Sequence, residues 1–121
     1  MADNLTERII HSAIEVHSAL GPGLLESIYE EALCYEFELQ RIQYKRQVAT
    51  EVVYKGKTIK GQLVDLVVEK EVVVELKSLT EIPEIAVAQT ISYLKATGLK
   101  LGLIINFGKR RLVDGIKRIS M

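Results

Sequence analysis

The sequence predicts a single α/β domain in which helices flank a mixed central β-sheet, with the elements in the order ααβββαβ. Apolar residues recur at helical spacing through the first 40 residues, and a Val-rich segment from Gln47 to Ser78 then changes to a period of two. A further helical stretch separates that segment from one more apolar strand. A strand that follows a crossover helix joins its sheet in parallel, so the sheet is expected to be mixed. A length of 121 residues favours one domain over residues 1–121.

The first two helices are predicted from apolar residues at every third or fourth position. Gly21 and Pro22 end the first helix, because glycine leaves the helical region freely and proline cannot continue the helix. The second helix is predicted from about Leu24 to about Gln40. Each presents one apolar face, which predicts that both pack on the sheet.

Three consecutive antiparallel strands are predicted in the Val-rich segment, joined by turns at residues 55–57 and 69–71. A third helix follows Pro83 and ends at Gly98. The stretch "KLGLIINF" is apolar nearly throughout, which is typical of an interior strand. The tail "RRLVDGIKRIS" fits either a short strand or a helix.

The composition is that of a globular protein, with 26% charged and 48% hydrophobic residues. The apolar runs are too short to span a bilayer, and no secretory pattern precedes the first helix. The one cysteine, Cys34, cannot form an internal disulfide and is typical of a buried helix residue. These features predict a cytoplasmic protein without a membrane anchor.

Charge is distributed unevenly along the chain. Residues 1–84 contain 9 Lys/Arg and 15 Asp/Glu, whereas residues 85–121 contain 7 Lys/Arg and one acid, Asp114. The basic C-terminal third suits contact with a polyanion, and the alternative is an ordinary solvated surface. The basic residues concerned are Lys95, Lys100, Lys109, Arg110, Arg111, Lys117 and Arg118.

The second and third predicted strands carry charged residues at positions where a hairpin that packs in the core would carry apolar ones. One face is entirely apolar and is predicted to be core, with Val64, Leu66, Val68, Val72, Val74 and Leu76. The other face sets Asp65, Glu75 and Lys77 among valines. If the hairpin turns about Lys70, Asp65 lies opposite Glu75 with Cβ atoms roughly 5 Å apart. Two carboxylates that close repel each other unless a cation lies between them.

Paired carboxylates are the ligands that a hard divalent cation such as Mg²⁺ prefers. Lys77 is predicted on the same side as Glu75, where its ammonium would orient a water or neutralise charge developing on a phosphate. The alternative is a salt-bridge cluster without catalytic function.

Glu26 is the third acid that the sequence singles out, in "LGPGLLESIYEEAL". It follows a glycine turn and begins a helix, where the helix dipole favours a carboxylate. That preference alone explains its presence. The catalytic alternative is that it faces inward beside Tyr29 and Leu33, where a buried acid needs a partner or a metal. His17 either faces Glu26 or, as we favour, is a hydrogen-bonded core histidine.

The spacing Gly23-x-x-Glu26-x-x-Tyr29, followed by Asp65, by Glu75-x-Lys77 and by "QTISYL", resembles the GxxExxY protein family. That family is assigned to the PD-(D/E)XK nuclease-like superfamily, and the similarity covers almost the whole chain. The resemblance implies a restriction-endonuclease-like core.

The resemblance also implies roles for individual residues. Asp65 and Glu75 would bind the metal, with the Leu76 carbonyl as a further ligand and Lys77 as the catalytic lysine. Glu26 would complete the metal site directly or through a water.

On the third helix, Gln89 would match the superfamily's helix glutamine, and Tyr93 lies one turn later on the same face. Tyr93, Lys109, Arg110 and Arg111 are candidate substrate contacts. Relatives often carry a polar residue where this chain has Leu63, which weakens the case for a substrate contact there.

The resulting hypothesis is a nuclease that hydrolyses phosphodiester bonds of DNA or RNA with Mg²⁺ or Mn²⁺. A single site in so small a chain suggests a homodimer or a partner protein for any double-strand cut. The alternative hypothesis is a non-catalytic module for nucleic-acid binding or protein interaction that retains the nuclease fold.

Overall fold

A five-stranded sheet forms the centre of the computed structural model, which describes residues 2–121, with side chains from residue 4 onward. The elements in chain order are α1 (Ala2–Leu20), α2 (Glu26–Leu39), β1 (Tyr44–Tyr54), β2 (Lys57–Val68), β3 (Val72–Lys77), α3 (Glu84–Thr97), β4 (Leu101–Asn106), the 3₁₀ turn η1 (Leu112–Gly115) and β5 (Ile116–Ser120). The predicted α/β class is confirmed. The tail, for which strand and helix both remained open, forms a 3₁₀ turn followed by a strand.

The strands lie in the order β1-β2-β3-β4-β5, and the sheet is mixed as predicted. β3 and β4 are parallel, and every other neighbouring pair is antiparallel. The parallel pair results from α3, which carries the chain back across one face of the sheet. All six residues of β4 are buried, in agreement with an interior position.

Two apolar clusters hold the helices to opposite faces of the sheet. The larger cluster joins α1 and α2 to one face, with Ile9, Leu33 and Phe37 fully buried against it. The smaller cluster joins α3 to the other face through residues such as Ala86 and Leu94. The sheet therefore has no solvent-facing side near β3 and β4, which explains why valines occupy both faces of β3.

The turns follow the local chemistry of their residues. Gly98 ends α3 with φ +75°, a left-handed conformation that glycine adopts without strain. Lys55 and Gly56 join β1 to β2 with positive φ angles at both residues, as a tight right-twisted hairpin requires.

Within residues 2–121, no helix combines the length and apolarity that a bilayer crossing needs.

Candidate active site

The predicted hairpin register is confirmed where β2 and β3 pair, and the pairing then stops at the acids. Leu66, Val67 and Val68 lie opposite Val74, Val73 and Val72. Beyond Leu66 the two strands separate. We call this place, with Asp65 on one side and residues 75–77 on the other, the fork.

Carboxylates replace backbone carbonyls as acceptors at the fork. The Asp65 backbone N–H donates to Oε1 of Glu75 over 2.9 Å, and the Leu76 N–H donates to Oδ2 of Asp65 over 2.9 Å. Each acid thus reaches across to the opposite strand. These reciprocal bonds keep both carboxylates beside each other and leave a second oxygen on each, Oδ1 of Asp65 and Oε2 of Glu75.

The Leu76 carbonyl also faces the fork. In a strand, the N–H and C=O of one residue point to the same edge, and the Leu76 N–H points toward Asp65. The regular β2–β3 ladder has ended by this residue. By contrast, the Lys77 carbonyl points toward the neighbouring strand and accepts from the Phe107 N–H at 2.8 Å.

A break in the β1–β2 ladder accompanies the fork. The pair that would join Gln47 to Asp65 is missing, and Gln47 has φ +50°. Val64 is fully buried, but it packs in the α3 cluster, whereas Leu66 packs in the α1–α2 cluster. The predicted assignment of Val64 and Leu66 to one core face is therefore wrong, because strand alternation does not survive this irregularity.

Burial and repulsion raise the proton affinity of Glu75. Only 5% of this residue is exposed. Desolvation raises its pKa to about 7, and the nearby charge of Asp65 adds to the effect. The Asp65 N–H bond and the charge of Lys77 act in the opposite direction, and Glu26 contributes a smaller upward shift.

Lys77 lies at the end of β3, two residues beyond Glu75 and on the same face of the strand. It is half-buried. Across the described residues, its ammonium has no carboxylate within 4.0 Å. Lys77 is therefore close enough to influence the Glu75 carboxyl and still free to bind a third group.

A tyrosine clamp fixes the glycine turn that precedes α2. The Tyr29 side chain is fully buried, and its hydroxyl donates to the Gly21 carbonyl at 2.5 Å and accepts from the Leu24 N–H at 3.2 Å. Its ring stacks on Phe107 with centroids 4.4 Å apart. Gly23 has φ +102°, which an L side chain rarely adopts. The segment with the Gly-x-x-Glu-x-x-Tyr spacing therefore forms a turn that hydrogen bonds to the Tyr29 hydroxyl hold closed.

This turn delivers Glu26 to the end of β3. The Ser78 hydroxyl donates to the Leu24 carbonyl over 2.5 Å, which ties the turn to the residue after Lys77. Glu26 is the first residue of α2 and is exposed, so the expectation that it faces inward is wrong. The buried positions of this helix belong to Tyr29 and Leu33, whereas Glu26 borders a cleft together with Leu24 and Ser78.

Removing the Tyr29 hydroxyl is expected to destabilise the protein by about 1 kcal/mol, because Tyr29→Phe leaves the partly buried Leu24 N–H and Gly21 carbonyl unpaired. Urea unfolding measures this loss. Tyr35→Phe is the matched control, since Tyr35 lies on the same helix and is 63% exposed. Equal stability of the two variants would show that the clamp does not hold the turn.

The third helix forms the wall opposite the acids. Tyr93 is 5% exposed, and burial together with the charges of Glu75 and Asp65 raises its pKa. Its hydroxyl donates to Oε1 of Gln62, a residue on β2 that the sequence did not single out. Gln89 lies one turn earlier and is half-buried. Tyr93 is therefore electrostatically coupled to the fork.

Asn106 is a second residue that sequence reasoning missed. It is fully buried, and its Oδ1 accepts from the Leu79 and Gly108 N–H groups while its Nδ2 donates to the Leu79 carbonyl. It thereby fixes the chain leaving β3 beside the chain leaving β4. A polar residue at the end of an otherwise apolar strand was the available signal.

Glu30 is a third residue that the sequence did not single out, and its hydrogen-bond partners indicate a structural role. It is buried and accepts from Arg46 at 2.9 Å and from Gln47 at 3.0 Å. Adjacent strand residues can both reach it because Gln47 has a positive φ. Glu30 therefore supports the break in β1 beside Asp65.

The basic residues Lys109, Arg110 and Arg111 differ in their contacts. The Lys109 ammonium lies 2.7 Å from Oε2 of Glu81, whereas Arg110 and Arg111 are exposed and line a cleft of about 450 Å³ beside the glycine turn. His17 is buried at this cleft, with Nε2 2.8 Å from the Lys109 carbonyl oxygen. The expectation of a hydrogen-bonded core histidine is confirmed.

The described residues contain no group of three or more His, Cys, Asp or Glu side chains arranged to hold a metal ion. Asp65 and Glu75 form a pair, and Glu26 lies outside it at a range where its charge still affects Glu75. The oxygen donors present at the fork, two carboxylates and one backbone carbonyl, fit the preference of Mg²⁺ or Mn²⁺.

Comparison with protein families matches residues 3–119 to the PD-(D/E)XK nuclease superfamily. The chain belongs to this superfamily. Residues 75–77 of this PD-(D/E)XK protein read Glu-Leu-Lys, a sequence that agrees with the (D/E)XK pattern. The narrower GxxExxY assignment stays a prediction. Comparisons with curated proteins and with solved structures gave no match.

Proposed function

We propose that this PD-(D/E)XK protein is a metal-dependent nuclease that hydrolyses phosphodiester bonds of DNA or RNA. One observation carries the proposal: two carboxylates from different strands are held side by side where the sheet opens. A purely structural hairpin gains nothing from this arrangement, because the acids repel and one of them is buried. A cation between them removes the repulsion.

Asp65, Glu75 and the Leu76 carbonyl are the proposed ligands of Mg²⁺ or Mn²⁺, and Glu26 completes the set directly or through a water. When bound, such an ion lowers the pKa of a water molecule and polarises a phosphate oxygen. The charge of Glu26 acts on Glu75, which supports a position near enough to the fork for this role.

The other residues act on the substrate. The Lys77 ammonium orients the attacking water and offsets negative charge that develops on the phosphate. Gln89 and Tyr93 line the α3 wall beside the acids, and Arg110 and Arg111 contact the nucleic-acid backbone farther away. Lys109 is a weaker candidate because its charge is already paired with Glu81. The buried Cys34 agrees with a reducing compartment, and we place the activity in the cytoplasm.

Millimolar Mg²⁺ or Mn²⁺ is expected to raise the melting temperature of the wild-type protein by several degrees, because an ion that binds only the folded state stabilises it. Thermal shift measures the change. Asp65→Asn is expected to abolish it, since the amide keeps an acceptor for the Leu76 N–H but loses the charge. Glu71→Gln, at an exposed carboxylate in the adjoining turn, is the control and keeps the full shift.

The same protein samples are then assayed for cleavage of mixed DNA and RNA structures. Metal-dependent cleavage that Asp65→Asn removes supports the proposal. A wild-type protein that neither cleaves any substrate nor responds to either metal contradicts it.

A further inference from the structure

The β1–β2 hairpin extends beyond the rest of the sheet. β2 pairs with β3 only through residues 66–68, whereas the β1–β2 ladder continues to Tyr54 and Lys57. Every residue from 51 to 60 is exposed. We call residues 51–60 the arm. Residues 51–53 border α3 at a cleft lined by Ser92, Lys95 and Ala96, whereas the rest of this two-stranded ribbon is exposed and accessible to a partner.

The arm is basic and its lysines are unpaired. It contains Lys55, Lys57 and Lys60 against one acid, Glu51. Among the described residues, none of the three ammonium groups has a carboxylate within 4.0 Å, although Lys60 and Glu51 are opposite each other in the ladder. Lys55 Nζ lies 5.4 Å from the centre of the Tyr54 ring. The charges are therefore free to meet an anionic partner.

A polyanion fits the arm better than a second copy of this chain does. Exposed Val52, Val53 and Ile59 would suit protein contact, but two such arms brought together would each carry excess positive charge and repel. Phosphates along a nucleic acid instead match a row of unpaired lysines, and their counterions are released on contact.

We propose that the arm holds duplex DNA in register with the fork, an inference that rests on the proposed nuclease function. The major groove of B-form DNA is wide enough for a two-stranded ribbon, whereas the major groove of A-form RNA is too narrow. Residues 57–60 of the arm and Asp65 lie on the same strand, β2. The β1–β2 register shifts between Ala49 and Glu51, so β2 is not fully extended there. At about 3.3 Å per residue, Lys60 and Lys57 lie at most about 16 and 26 Å from Asp65. These lysines therefore contact DNA within about eight base pairs of the bond at the fork.

Fluorescence anisotropy in EDTA tests the proposal with a duplex DNA of about three helical turns and a duplex RNA of equal length. Changing Lys55, Lys57 and Lys60 to Ala together is expected to raise the Kd for DNA about tenfold or more. The slope of log K against log salt is expected to fall by about 0.9 for each lysine that contacts a phosphate. RNA binding is expected to change little.

The matched control is the triple alanine variant at Arg41, Lys45 and Lys70, three exposed basic residues near the other end of the strands. This variant removes the same charge and is expected to keep DNA affinity. Unchanged DNA binding by the arm variant, or an equal loss of RNA binding, overturns the proposal. So does a wild-type dimer in sedimentation that the arm variant converts to a monomer, because the arm then binds a second copy.

Asp65→Asn separates this proposal from the nuclease function, since it removes a ligand at the fork and leaves the arm intact. In EDTA it is expected to bind DNA at least as tightly as wild type, because it removes one negative charge beside the phosphate. Arm-dependent DNA binding by a protein that never cleaves supports the arm and contradicts the nuclease function. Cleavage together with arm-independent binding contradicts the arm alone.

Discussion

Lys77→Ala is expected to slow metal-dependent phosphodiester cleavage by about 10²–10⁴-fold while the protein stays folded. Lys77 is half-buried at the end of β3, and in the part of the chain described here no carboxylate neutralises it within 4.0 Å. In the proposed mechanism, its loss removes the positive charge that offsets negative charge developing on the phosphate. Single-turnover rates on labelled nucleic acid measure the effect.

The measurement must distinguish the direct loss of the Lys77 charge from an indirect change in the pKa of Glu75. Lys77 lowers the pKa of Glu75, so removing it drives that pKa further upward. Rates are therefore compared at about pH 7 and again well above it, where Glu75 is ionised in both proteins. Lys70→Ala, at an exposed turn lysine, is the control. A Lys77→Ala variant that regains the wild-type rate at high pH would show that Lys77 acts only through Glu75.

Glu75→Gln is expected to stabilise the metal-free protein by up to about 3 kcal/mol above neutral pH. The pKa of Glu75 is raised from 4.5 to about 7, so the folded state binds the Glu75 proton more tightly than the unfolded state does. The destabilisation that comes from burying the ionised Glu75 carboxylate is absent below about pH 4.5, grows as the pH rises, and is complete above about pH 7. Glutamine keeps the acceptor for the Asp65 N–H and has no charge to desolvate.

Urea unfolding in EDTA at about pH 4.5 and about pH 8 measures this difference. The gain from Glu75→Gln should be present at the higher pH and nearly absent at the lower one. Glu71→Gln, an exposed carboxylate on the same hairpin, should change little at either pH. A gain that is equal at both pH values would mean that charge burial is not its cause.

The local elements of the fold could be predicted because short-range chemistry specifies them. Gly98 ends α3 and the turn about Lys70 sets the hairpin register, both as predicted. Asp65 and Glu75 were found because a charge among valines has no local reason to be there.

The remaining features depend on contacts between distant segments. Alternation along β2 placed Val64 beside Leu66, but the β1–β2 ladder lacks the pair between Gln47 and Asp65, and Val64 and Leu66 pack on opposite faces of the sheet. Glu81 pairs with Lys109, 28 residues farther along the chain, so only the structure reveals which basic residue is already paired with a carboxylate. Tyr93 meets Gln62 across 31 residues in the same way.

The three helices, the turns, the first four strands and the pair of acids on one hairpin could be predicted from the amino-acid sequence alone. These features follow from side-chain periodicity and from residues that fix their own backbone angles. The features that depended on tertiary contacts are the end of the β2–β3 pairing at Asp65, the exposure of Glu26 and the extension of the β1–β2 ribbon beyond β3. The reason is physical: burial and charge pairing depend on which distant segments meet, and no local pattern encodes that meeting.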